Sequence, residues 1–137
     1  MEYNDYIMTE LNEIDQWYND QILQVKDAAS ARKFCLDIER KTERGIVKLS
    51  IQPFEGDSSL CEETKGFFTF LKTMSRNELR MFFKLVYNQT NTSDSKNKIA
   101  ELIGKMDGEY SKWWSSIKHI QKVFASKHHL NIVVHKQ

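Results

Sequence analysis

Two cysteines, four histidines and nineteen carboxylates are the side chains of this 137-residue chain with chemistry to offer. A cysteine approached by a histidine would make a nucleophile, and His119 with Cys35 or Cys61 is the pairing to consider. Both cysteines flank apolar positions at helical spacing, which is the setting of a core cysteine packed as a small hydrophobe. Carboxylates with histidines raise a second chemistry, the di-iron centre that helix bundles build from Glu-x-x-His pairs on facing helices. None of His119, His128, His129 and His135 has a Glu three positions before it, so a ferritin-like oxidase is not expected. His128, His129 and His135 gather in the tail without spaced Cys or carboxylate ligands, and read as solvated side chains rather than a metal site. A phosphate-binding glycine loop, a nucleophile elbow and a zinc-ligand pair are all missing. The expectation is therefore no catalytic, metal-binding or cofactor-binding residue.

What remains is recognition. Trp113 and Trp114 are adjacent and cannot share one helical face, so Trp113 is expected on the buried seam and Trp114 at its shoulder. A partly exposed Trp114 near Trp17 would mark a partner surface; an ordinary core edge is the competing reading. Asn88-Gln89-Thr90 and Asn91-Thr92-Ser93 match the N-glycosylation pattern, which arises often by chance in polar loops.

Helices must position these residues. Ile99, Ile103, Met106, Tyr110, Trp113, Ile117, Ile120 and Phe124 follow at alternating steps of 4 and 3, predicting a long helix over about 94–127 with one apolar stripe. Ile7, Leu11, Ile14, Tyr18, Ile22 and Val25 predict a first helix over about 4–25. Ala31, Cys35, Ile38, Thr42, Gly45 and Leu49 predict a second over about 31–51, capped by Asp27 or Ser30 and ended by Pro53. Its small residues would let neighbouring helices approach closely. Leu60, Thr64, Phe67, Leu71, Met74, Met81 and Leu85, widened by Phe68, Phe82 and Val86, predict a third over about 58–87, capped by Asp57 or Ser58. Ser75-Arg76-Asn77-Glu78 could open a capping box there, but one continuous helix is the preferred reading. Asn88 to Ser95 is polar and aperiodic, a loop with Thr92 or Ser93 as the last cap. Four long amphipathic helices with short links predict a single all-α domain, an up-down-up-down antiparallel four-helix bundle. In such a bundle Cys35 and Cys61 lie too far apart along the axis to form a disulfide.

Composition limits function further. With 40% hydrophobic content the chain can bury a core without metals or disulfides. Residues 1–70 carry 8 basic and 14 acidic side chains, and residues 71–137 carry 12 and 5. An acidic first helix beside a basic last one accounts for this, and no nucleic-acid module accompanies the charge, so no nucleic-acid partner is expected. No run of about 18 apolar residues exists to span a membrane. The start, Met1 to Ile14, lacks a signal peptide's apolar core. Both charge signs spread over the surface predict a monomer or weak dimer that unfolds cooperatively.

Tyr-Asn-Asp-Tyr-Ile (Tyr3 to Ile7), Pro-Phe-Glu-Gly-Asp (Pro53 to Asp57) before an aromatic-rich helix, and Phe-Ala-Ser-Lys-His-His-Leu (Phe124 to Leu130) resemble the small helical surface proteins and lipoproteins of Bacteroidetes and Leptospira. That resemblance spans nearly the whole chain and implies a place on the cell envelope with no established activity. The lipobox cysteine of such lipoproteins has no counterpart near Met1, so a lipid anchor is expected only if a native signal was removed. A non-enzymatic, envelope-associated module that binds another protein is the expected function. Its rival is a cytosolic immunity or antagonist protein whose basic half docks on an acidic partner.

Overall fold

The computed structural model describes residues 2–50, 58–87 and 92–127, all helix or short connection, with no strand among them. Five helices follow in order: α1 (Glu2–Ile22), α2 (Ala28–Lys48), α3 (Ser59–Arg76), α4 (Glu78–Tyr87) and α5 (Ser93–Lys127). Pro53, the turn at 53–57, the Asp57 cap, both sequons up to Asn91 and the histidines of the tail lie outside the described residues.

Local chemistry sets the helix starts. Asp27 is the cap of α2: its carboxylate accepts from Ser30 N, while Ser30 Oγ accepts from Asp27 N, a reciprocal capping box. These hydrogen bonds hold the Asp27 carboxyl below the usual carboxylate range. Thr92 does the same for α5 with Ser95, Thr92 Oγ1 accepting from Ser95 N at 3.1 Å and Ser95 Oγ from Thr92 N at 3.1 Å. Ser58 precedes α3 without a side-chain cap.

The third helix departs from the expected single element of 58–87. Asn77, with φ −116° and ψ −87°, ends α3 and lets α4 begin at Glu78. No capping box forms at Ser75, which lies inside α3 and is buried, its Oγ donating to Lys72 O. The break resets the helical phase. Leu79 and Phe83 turn inward on α4, whereas Met81 and Val86, expected on the stripe, are exposed, and Leu85 is half-buried.

The predicted face of α2 is the buried one: Ala31, Phe34, Cys35, Ile38, Thr42 and Gly45 all face the core, with Leu49 just beyond. Thr42 satisfies its hydroxyl by donating to Ile38 O at 2.7 Å. Gly45 permits the closest approach, since a Cβ there would stand 2.7 Å from the Phe68 ring and 3.0 Å from Ile14 Cδ1. α1 and α3 therefore reach α2 at one point.

Contacts between neighbours run in opposite numerical order. Along α2 and the α3–α4 pair, Cys61 Sγ donates to Leu49 O, Lys72 pairs with Glu43 at 3.0 Å, Arg76 pairs with Glu39, and Tyr87 donates to Val25 O at 3.4 Å. Along α3–α4 and α5, Ser116 donates to Glu63 at 2.7 Å, Phe70 stacks on Trp113, and Lys105 pairs with Glu78 at 3.0 Å. Burial, the largest single influence, would raise the Glu78 carboxyl, but the hydrogen bond and charge of Lys105 and a backbone hydrogen bond at Glu78 together outweigh it and hold the group below its ordinary range.

α5 buries a face turned slightly from the expected one. Leu102, Met106, Trp114, Ile117, Gln121 and Phe124 are buried; Ile103, expected there, is 42% exposed, and Tyr110, Trp113 and Ile120 are half-buried. The Nε2 of Gln121 finds no hydrogen-bond partner among the described residues. One hydrophobic cluster draws on all five helices.

Candidate functional site

Trp114 is not a surface residue. It is 4% exposed, and its indole N–H donates to Asp15 Oδ1 at 3.1 Å across to α1. The same oxygen accepts from the Tyr110 hydroxyl and, at 3.3 Å, from Asn19 Nδ2. Asp15 is only 6% exposed, so these donors replace the water its carboxyl would otherwise need. Burial above all, then the hydrogen bond to Asp15, pushes the Tyr110 hydroxyl far above its ordinary pKa. Adjacent tryptophans thus serve different neighbours: Trp114 reaches α1, while the Trp113 ring covers Gly66 on α3. Trp17 is half-buried against Phe34 at 5.7 Å between ring centres, with Lys41 Nζ 5.1 Å above the ring. Trp17 faces α2 and Trp114 the interior, so the pair does not form one exposed patch.

The other candidate groups are dispersed. Cys61 lies beside Leu49, the C-cap of α2, and Cys35 stands on α2 14 residues before Leu49, about 21 Å along the axis. Both thiols are free and buried. Burial above all pushes the Cys35 thiol up to about 11, with the Arg80 charge working against it and Glu39 adding to it. Such a thiol is almost wholly protonated at neutral pH and is a poor nucleophile. His119 sits exposed on α5, and no group of three His, Cys, Asp or Glu among the described residues could hold a metal ion.

Sequence periodicity missed the arrangement of the cations. Between α2 and α3–α4, charge pairs form a ladder: Glu43 with Lys72, then Glu39 with Arg76. One turn further, α2 supplies Cys35 instead of an acid near Arg80, and Arg32 and Lys84 line the same cavity. None of these three cations makes an ion pair among the described residues. They rim a cavity of about 260 Å³ whose floor is Ala31, Cys35 and Phe83, with Ala28 at its edge. The cavity lies where α2 begins with the small Ala28 and Ala31 and where Phe83, beyond the helix break at Asn77, faces inward.

A second cationic feature lies on the outward face of α2. Leu36, Arg40, Arg44 and Val47 recur at steps of 4, 4 and 3, all exposed, and Val47 is 73% exposed. Arg40 and Arg44 also lack ion pairs among the described residues, whereas Glu43 is engaged by Lys72 and Lys48 by Glu10. An open groove of about 500 Å³ runs past Arg40, Arg44 and Val47. Against known proteins the chain stands apart: no family model, no curated protein and no solved structure matches it.

Proposed function

We propose that the protein is a non-enzymatic interaction module that docks an acidic segment of a partner protein along the outward face of α2. The scaffold is an up-down-up-down antiparallel bundle of α1, α2, the α3–α4 pair and α5, a reading supported by the opposed order of the contacts between neighbours. One observation carries the function: Arg40 and Arg44 lie between exposed Leu36 and Val47 on a single face, and neither makes an ion pair among the described residues. Exposed apolar side chains set among unpaired arginines suit a segment that brings both apolar anchors and carboxylates. The resemblance of Tyr3 to Ile7, Pro53 to Asp57 and Phe124 to Leu130 to envelope proteins supports a place at the cell envelope. No helix among the described residues is long and apolar enough to cross a membrane.

The antagonist reading draws on a different surface. After Glu109, α5 carries Lys112, Lys118, Lys122 and Lys127 and no carboxylate, a basic face suited to neutralising an acidic partner. One titration separates the two. A synthetic amphipathic helix of alternating Glu and Leu turns, followed by fluorescence anisotropy, should bind the wild type, and Arg40→Glu with Arg44→Glu should weaken it by about tenfold or more. Lys118→Glu with Lys122→Glu should change it less than about threefold. Equal losses in both variants, or no binding to the wild type at low salt, would overturn the α2 docking face; loss confined to the α5 variant would transfer it to the antagonist surface.

A further inference from the structure

We infer that the cavity between α2 and α4 is a binding site for a small organic carboxylate with an apolar body. The chemistry of the walls selects it. Ala31, Cys35 and Phe83 offer an apolar floor that inorganic phosphate cannot use, while Arg32, Arg80 and Lys84 at the rim would strand a neutral hydrocarbon beside unmatched charge. Three like charges around one cavity repel one another, and a single anion seated among them relieves that repulsion. Arg76 and Lys72, one and two turns earlier, have Glu39 and Glu43 for the same purpose. The carboxylate of a ligand would continue this ladder at the rung where α2 supplies Cys35. The thiol there stays neutral, so it adds no negative charge against the anion.

A volume of about 260 Å³ admits a ligand below drug size, such as a medium-chain carboxylate. The site also stands apart from the α2 docking face, because Arg40 and Arg44 do not line it.

Sodium octanoate, 1-octanol and inorganic phosphate are the probes, titrated into the ¹⁵N-labelled full chain and followed by amide shifts. Octanoate should saturate with a dissociation constant below about 1 mM. The shifted amides should cluster at residues 28–35 and 80–84, and octanol and phosphate should each bind about tenfold more weakly or not at all. Two variants separate charge from space. Arg80→Gln with Lys84→Gln changes exposed side chains only and should weaken octanoate about tenfold. Ala28→Leu, at the exposed edge of the cavity, fills it without removing a charge and should weaken octanoate by a similar factor. Arg40→Gln with Arg44→Gln should leave octanoate binding unchanged, so this site and the docking face fail or survive separately. Octanol binding as tightly as octanoate, phosphate matching it, or Ala28→Leu having no effect in a folded variant would each overturn the cavity as a carboxylate site.

Discussion

Gly45 is where α1, α2 and α3 converge, and a single hydrogen in place of a methyl decides how closely they pack. An added Cβ would sit 2.7 Å from Phe68 Cε2 and 2.8 Å from Cδ2, and Phe68 is fully buried, so its ring has nowhere to retreat. Helix propensity favours alanine over glycine by about 1 kcal/mol, whereas overpacking a filled core costs about 1–3 kcal/mol. Overpacking wins. Gly45→Ala should lower stability by about 1 kcal/mol in urea denaturation. Gly108, also helical, has nothing within 4 Å of its added Cβ, so Gly108→Ala should raise stability by up to about 1 kcal/mol. A loss at Gly108 or a gain at Gly45 would mean that α5 or the α1–α2–α3 junction is packed otherwise. The small residues of α2 were legible in the sequence as a closely approached face; which glycine could accept a methyl was not, because that depends on the ring of a residue 23 positions away.

At the scale of elements, periodicity located the helices and misjudged rotation and continuity. α1 and α2 showed one stripe each, although the α1 stripe was carried to Val25, beyond the end of the helix at Ile22. α5 was read as one stripe through Ile103 and Trp113, whereas the structure buries Leu102 and Trp114, each about 100° away around the helix. A polar residue on another helix decided between them: Asp15 takes the indole N–H of Trp114, and α5 turns accordingly. Likewise the α3–α4 break at Asn77 left the hydrophobic pattern nearly intact, and its signature is the inward turn of Phe83 rather than any turn-forming motif. The Asp15 contact also ties α1 to α5. Tyr110→Phe removes one hydrogen bond to this buried carboxyl and should cost about 1–2 kcal/mol. Lys72→Ala removes a partly exposed rung of the α2–α3 ladder and should cost less than about 1 kcal/mol. Urea denaturation of both variants tests the order. If the two losses were equal, the Asp15 tether would be no more than another surface contact.

For the whole molecule, the candidate sites were hidden from the sequence because each is made of absences, among the described residues, that only the folded pairing reveals: an acid missing opposite Arg80, a face of α2 with no helix over it. The core, in contrast, exposes its own energetics to pH. Tyr18 and Tyr110 are held protonated far above their ordinary 10.0, burial being the first cause for both. The Cys35 thiol is raised from 9.0 to about 11 for the same first reason. Unfolded chains release these protons at the ordinary values while the native protein keeps them, so above pH 9.0 the unfolded state binds fewer protons and stability falls as pH rises. The contribution of these groups is complete below pH 9.0 and is lost progressively above it. Urea midpoints should therefore decline steeply on the alkaline side, and the tyrosinate absorbance of Tyr18 and Tyr110 should appear together with loss of helical circular dichroism, not before it. Replacing both with Phe should flatten that decline while lowering stability at neutral pH through the lost Asp15 bond. Tyrosinate signals from these two residues in a protein still fully helical would show that the α1–α5 interface opens to water on its own, and the single shared core would have to be redrawn as two separable layers.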